Sequence, residues 1–305
     1  MSLWNHYYQA RDLVDALQAL QGLPQPARLI AGGTDLLLQL QQGQADPVES
    51  LVDVNGIPAL QALEIRNLPS LGESLFVGAA VTLSRIAGHP LVWQHAAALV
   101  DACRLIGGPQ VRNSATLGGN VAHALPAADG SIALLALNAM AEVYGSIGKI
   151  LTPLNELYLG PGKSALNSAN QILVGFYLPL AAPGQASAFQ RIMRPQGVAL
   201  PVLNMACWLH REGDQIVDLR LTLGPAGTRP MRSPVVEEAL RGQYYSQTVI
   251  ETAGKSLAAS SRFRTSPRRA SSSYRQHLSQ FLLPAVLAIA WERAGVLHTI
   301  KINKV

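Results

Sequence analysis

Charge is scarce in this chain of 305 residues: Asp, Glu, Lys and Arg together make up 14%, against 49% hydrophobic residues. That balance excludes a disordered or highly solvated chain and implies that part of the surface is covered by partners. Cysteine is scarcer still, with only Cys103 and Cys207. Two thiols cannot hold an iron–sulfur cluster, which takes four, and lone cysteines in apolar surroundings are more often buried thiols than a disulfide. Neither H-E-x-x-H nor a Cys/His cluster occurs, so no metal site is expected. Long apolar runs are missing too. The longest, Phe281 to Trp291, is interrupted by Pro284, which excludes a membrane-spanning helix. Met1 to His6 has no basic segment followed by an apolar one, so no signal peptide is expected and the chain is expected to be cytoplasmic.

The formal net charge is +5, which raises the question of nucleic acid. The basic residues bunch only around Arg262, Arg264, Arg268, Arg269 and Arg275, with no interleaved aromatic platform beyond Phe263 and Tyr274. A solvated face or a contact with another subunit accounts for that cluster better, so no nucleic-acid partner is expected.

What is abundant is glycine and small residues in two places. Ile106 to Asp129 holds four glycines and five alanines, flanked by apolar helical patterns. So little side chain builds no core, but it lets the backbone come close to something else. Thr116-Leu117-Gly118-Gly119-Asn120 reads as one tight turn presenting consecutive N–H groups, a hydroxyl and an amide, an array suited to a pyrophosphate. Earlier, Ala27 to Ala31 reads as a short buried strand, Gly32-Gly33-Thr34-Asp35 as a turn, and Leu36 to Leu40 as the opening of a helix. That is the local geometry of an anion-binding helix N-terminus. The spacing G-x-G-x-x-G is absent, so the Rossmann fingerprint does not apply. Two separate Gly-Gly-polar loops suggest a diphosphate held between two backbones.

Ala31-Gly32-Gly33-Thr34-Asp35-Leu36, followed about eighty residues later by Gln110-Val111-Arg112-Asn113-Ser114-Ala115-Thr116-Leu117-Gly118-Gly119-Asn120, strongly resembles the FAD-binding subunit of the molybdenum hydroxylases. That family includes the medium subunits of carbon monoxide dehydrogenase and bacterial xanthine dehydrogenase, and the resemblance covers roughly residues 5 to 294. It implies non-covalent FAD lying between two N-terminal lobes. Its diphosphate would rest on Gly32, Gly33, Thr34 and Asp35 and on Thr116, Gly118, Gly119 and Asn120. Leu29, Ile30, Ala31 and Leu36 match the family's contacting strand and helix start. His123 matches a position that is often Thr, Asp129 an acidic residue that meets the cofactor, and Leu173 a leucine packed near the flavin ring. Read on their own, Asp35 and Asp129 also suit helix N-caps, His123 a satisfied structural group, and Leu173 an ordinary core position. The sequence departs from the family where Leu125-Pro126-Ala127 replaces a frequent Ser-Pro-Ala. It departs again where Phe189-Gln190-Arg191 lacks a frequent Lys; either the loss of that cation alters the flavin potential or Arg191 takes its place. Residues 141–157 also look shortened.

The resemblance implies an electron-transfer role beside a molybdopterin-binding large subunit and a [2Fe–2S] small subunit, with an acceptor such as NAD, and no catalytic acid or base in this chain. Two alternatives stand beside it: a self-contained FAD-dependent oxidase of the same fold, and a cofactor-free basic binding module.

The expected fold is α+β, a two-lobed FAD-binding (PCMH-type) fold followed by a C-terminal antiparallel sheet with packed helices. Its parts are an α/β lobe over 1–55, a second lobe over 56–178, a C-terminal domain over 179–295 and a tail over 296–305. Apolar periodicity predicts helices over 10–21, 34–42, 92–106, 131–137, 234–241, 247–260 and 273–294. Strands are predicted over 28–31, 51–54, 62–66, 74–79, 140–144 and 171–178. A meander over 187–193, 202–210 and 216–223 follows, with Gly213-Asp214 as a hairpin turn. In the tail, residues 297–303 alternate like a strand.

Overall fold

The first turns of the chain are fixed by a cap. The carboxylate of Asp12 accepts from the Asp15 N–H, opening a helix whose Ala16 and Leu20 are buried. The computed structural model describes residues 3–194, 200–267 and 269–296; the predicted strand-like stretch 297–303 and Arg268 lie outside them. The opening unit comprises β1 (His6–Gln9), α1 (Leu13–Gly22), β2 (Ala27–Ile30), α2 (Leu36–Gln41) and β3 (Ser50–Asp53). β3 is buried along its length and pairs in parallel with β1 on one side and β2 on the other. A parallel sheet needs cover on its faces, which α1 and α2 supply.

The chain continues through α3 (Pro58–Gln61), β4 (Leu63–Leu68), β5 (Gly72–Gly78), α4 (Leu83–Gly88), α5 (Pro90–His95) and α6 (Ala97–Leu105). The helix expected over 92–106 is broken at Ala96, whose φ of −144° and ψ of 48° are not helical. Apolar side chains are buried on both sides of the break, so periodicity alone does not reveal it. Three short helices follow, α7 (Pro109–Ser114), α8 (Leu117–Ala122) and α9 (Asp129–Ala136). Then come β6 (Met140–Gly145), β7 (Gly148–Pro153), β8 (Tyr158–Gly160), β9 (Lys163–Ser164) and β10 (Ile172–Pro179). The five-stranded antiparallel sheet runs β4-β5-β10-β6-β7. Central β10 reads as a continuous apolar run because it is buried on both faces. Its register shifts between Leu173 and Gly175, and a side chain at Gly175 would overlap the Phe76 ring.

The last part is the predicted meander, β11 (Gln185–Ile192), β12 (Leu203–Glu212) and β13 (Gln215–Gly224), extended by β14 (Met231–Arg232) in the order β11-β12-β13-β14. Helices α10 (Pro234–Leu240), α11 (Gln247–Ser260) and α12 (Ser272–Val296) cover one face. Leu203, Met205, Cys207 and Leu209 of β12 point into the core they share with those helices. The alternate residues of β12, Ala206 and Trp208 among them, belong with the core of the preceding part. The C-terminal sheet is thus packed on both faces.

Asp101 of α6 joins the halves. Its carboxylate accepts from the Phe189 N–H at 3.2 Å and from both terminal nitrogens of Arg293 at 2.6 and 3.1 Å. Ser187 Oγ, in turn, accepts from the Ala98 N–H. Both cysteines are buried free thiols whose pKa values burial pushes up.

Candidate cofactor site

The two glycine-rich motifs meet backbone to backbone. At Gly32 a Cβ would overlap Ser114 O and lie 2.8 Å from Ala115 Cα, so only glycine permits this approach. Gly33, at φ +66°, turns the chain from β2 into α2. Across this turn the N–H groups of Gly32, Gly33, Thr34 and Asp35 have no acceptor among the described residues. Asp35 stands at the N-cap position of α2, yet its carboxylate makes no capping bond and is exposed. Four unspent N–H groups at a helix start form a receptor for anionic oxygen.

The second motif is differently built, and here the expected tight turn with free N–H groups is corrected. Thr116 is the N-cap of α8 and its hydroxyl accepts from the Gly119 N–H at 3.1 Å. The Leu117 and Gly118 N–H groups donate to Val81 O and Ala79 O, and the Asn120 N–H to Thr116 O. The N–H groups are therefore spent on holding the motif in place. What remains open is the surface at Gly119, which is exposed and has only Thr116 Oγ1 near the position of a Cβ. Asn120 adds a buried Oδ1 with no hydrogen-bond partner among the described residues, close to Gly130. An orphaned buried acceptor beside an open glycine is a feature that a polar ligand would satisfy.

Other predicted residues fall around these two. Ile30 and Leu36 pack in the small core of the first sheet, while Leu29 and Ala31 lean on the main core. Leu173 is buried in β10, one residue before Val174, whose carbonyl accepts from Ala79 N–H. Ala79 O in turn holds Gly118, so a chain of two hydrogen bonds ties the second motif to the strand that carries Leu173. His123 closes α8 through its backbone N–H to Gly119 O, and its imidazole makes no hydrogen bond among the described residues.

Asp129 does not cap α9; Ala128 holds that position. Its carboxylate, 4% exposed, accepts from Arg191 Nη1 at 2.5 Å and from Asn204 Nδ2 at 2.6 Å. Burial raises its pKa, opposed by the Arg191 charge and both hydrogen bonds. Arg191 also donates to Leu105 O and to Met193 Sδ. Its charge is therefore engaged by Asp129 rather than standing free in place of the family's lysine.

Sequence reasoning missed Asn55. Its Nδ2 donates to Ala31 O at 2.9 Å and to Asp53 Oδ1, while Tyr7 Oη donates to Asp53 Oδ2 at 2.6 Å. This network steadies the first glycine turn from behind. Its only signal was the polar pair Asp53 and Asn55 at the end of an apolar strand.

The chain matches the family described as the FAD binding domain in molybdopterin dehydrogenase over residues 3–181. It also matches the CO dehydrogenase flavoprotein C-terminal domain over residues 187–290. It is 31% identical over 293 residues to the xanthine dehydrogenase FAD-binding subunit of Escherichia coli O157:H7, covering 95% of this chain and 97% of that one. With the nicotine 6-hydroxylase medium subunit of Paenarthrobacter nicotinovorans it shares 30% identity over 288 residues, 94% and 97% of the two chains. Among solved structures, it is similar to carbon monoxide dehydrogenase of Hydrogenophaga pseudoflava with a TM-score of 0.85 and 25% identity. That match covers 95% of this chain and 98% of the other.

Proposed function

Because the chain belongs to the family of FAD-binding subunits of the xanthine and carbon monoxide dehydrogenase type, we propose that it is an electron-transfer subunit. In this reading it receives electrons from a [2Fe–2S] subunit fed by a molybdopterin-binding subunit, and delivers them to an external acceptor such as NAD. Bound FAD supplies the chemistry, accepting two electrons together or one at a time.

The observation that carries the reading is the junction of the two glycine motifs, with four free N–H groups on one side and the open Gly119 surface on the other. Gly32, Gly33, Thr34 and Asp35 bind anionic oxygens of the diphosphate through their peptide N–H groups. Gly119 leaves room for the cofactor, and Asn120 offers its amide. Leu29, Ile30, Ala31 and Leu36 shape the wall on one side, and Leu173 lies on the strand behind the second motif. His123 borders the site at the end of α8, and Asp129 holds its edge through Arg191. The parts over 1–55 and 56–178 share the cofactor, which is held non-covalently. Nothing in this arrangement requires a proton-transferring side chain.

Purified full-length chain titrated with FAD should bind one equivalent and release it on denaturation. Small reduced substrates should bleach that flavin only when the two partner subunits are present. Reduction by substrate with this chain alone would instead identify a self-contained oxidase.

A further inference from the structure

The charge of this protein is not spread over it. Residues 261–275 contain five arginines and no acid, and those five equal the entire formal excess of +5. The rest of the chain is electrically balanced.

The structure shows how this segment is held. Arg275 is buried, yet it forms no ion pair among the described residues. Its Nε donates to Val202 O at 2.8 Å and its Nη1 to Arg264 O. Arg194 Nη2 donates to Arg269 O at 3.0 Å. A buried guanidinium and a neighbouring arginine are thus spent on backbone carbonyls, pinning the backbone at Arg264 and Arg269 near the end of β11 and the start of β12. Arg194, Arg262, Arg264 and Arg269 are all exposed residues on or beside this segment. Among the described residues, none of these four pairs with a carboxylate within this chain. Beside them, Met193 is 39% and Leu200 53% exposed. Arg191 joins Met193 to Leu105 O and to Asp129, so the surface begins at the edge of the cofactor site.

Arginine and methionine with exposed aliphatic carbon is the composition of a protein interface. Nucleic acid would call for several stacking platforms interleaved with the cations; of the two aromatics in this segment, Phe263 is buried in the core of the C-terminal domain and Tyr274 alone is exposed. We propose that the surface of Arg194, Arg262, Arg264 and Arg269, with Met193 and Leu200, is a docking face for an acidic patch on a partner subunit. This inference rests on the reading that the chain works within an assembly, and it names the face and the chemistry of what covers it. Four like charges held together without counter-ions repel one another. An acidic partner relieves that repulsion and steers association, with the strongest effect at low salt.

The test uses full-length chain carrying Arg264→Glu and Arg269→Glu together, titrated against co-expressed molybdopterin-binding and [2Fe–2S] subunits at low and high ionic strength. Both side chains are exposed, and the hydrogen bonds that Arg264 and Arg269 contribute to the fold come from their backbone groups, so the melting temperature and FAD content should stay at wild-type values. The complex should weaken about tenfold or more at low salt, with a smaller difference at high salt. Equal affinity at both salt concentrations would overturn the docking face while leaving the assembly intact. Failure of the wild-type chain to form any complex would overturn the assembly reading, and this inference with it. RNA binding by the wild type that the double variant loses, with the protein complex unchanged, would assign the face to nucleic acid instead.

Discussion

Replacing Gly32 by alanine adds one methyl group and should damage both the fold and the site. The added Cβ would overlap Ser114 O and sit 2.8 Å from Ala115 Cα. Both are backbone atoms, so no rotamer change relieves the clash and one loop must move away from the other. Overpacking of this kind costs about 1–3 kcal/mol, and a rigid backbone neighbour places Gly32→Ala near the top of that range. For a chain of this size that corresponds to a fall in melting temperature of about 5 °C. Separation of the loops should also weaken FAD binding, because the free N–H groups lie on the loop that is displaced. Gly22→Ala is the control: a Cβ there meets nothing within 4 Å, so that variant should be unchanged or slightly stabilised. Melting curves without cofactor, followed by FAD titration monitored through flavin fluorescence, measure both effects. A Gly32→Ala protein with wild-type melting and wild-type FAD affinity would refute the contact between the motifs.

Gly119→Val should lower the melting temperature of the cofactor-free chain only slightly, since Gly119 is exposed and not at positive φ and its Cβ would press on the Thr116 hydroxyl at 3.1 Å, but should lower FAD affinity about tenfold or more, equivalent to about 1.4 kcal/mol. Arg191→Met leaves the Asp129 carboxylate buried without its cation and should destabilise the chain by about 3–5 kcal/mol. The carboxyl pKa in that variant is raised further above its unfolded value, so the loss should be smallest near pH 4 and grow as pH rises, which melts at pH 5 and pH 8 would show. Burial lowers the His95 pKa, and its Nδ1 accepts from the Ala181 N–H on the chain leading into the C-terminal sheet. With the folded pKa below the unfolded one, this contribution is present above about pH 6.5 and lost as pH falls through the folded value. His95→Gln should flatten that acid limb.

The sequence displayed the parts of the fold that depend on near neighbours. Strand, Gly-Gly turn and helix were legible around Gly32 because glycine and apolar periodicity act within a few residues. The meander of β11 to β13 was legible from alternation and the Gly213 turn. Contacts between distant segments were not. The N–H groups of Leu117 and Gly118 are consumed by carbonyls of Val81 and Ala79, on a segment whose approach no local pattern encodes. Asp129 looked free to cap or to meet a ligand, yet its partners Arg191 and Asn204 lie 62 and 75 residues away. The break at Ala96 was hidden because both helices beside it bury their apolar faces.

The central claim is that this chain takes electrons from an iron–sulfur partner and not from a substrate of its own. Its most direct test is to mix the FAD-loaded full-length chain, without oxygen, with a pre-reduced [2Fe–2S] partner subunit and to follow the visible flavin bands by stopped flow. The account predicts rapid bleaching on addition of the reduced partner, restored by an external acceptor, and no bleaching by small substrates when this chain is alone. A flavin that the reduced partner leaves untouched, or that a substrate bleaches unaided, would contradict it.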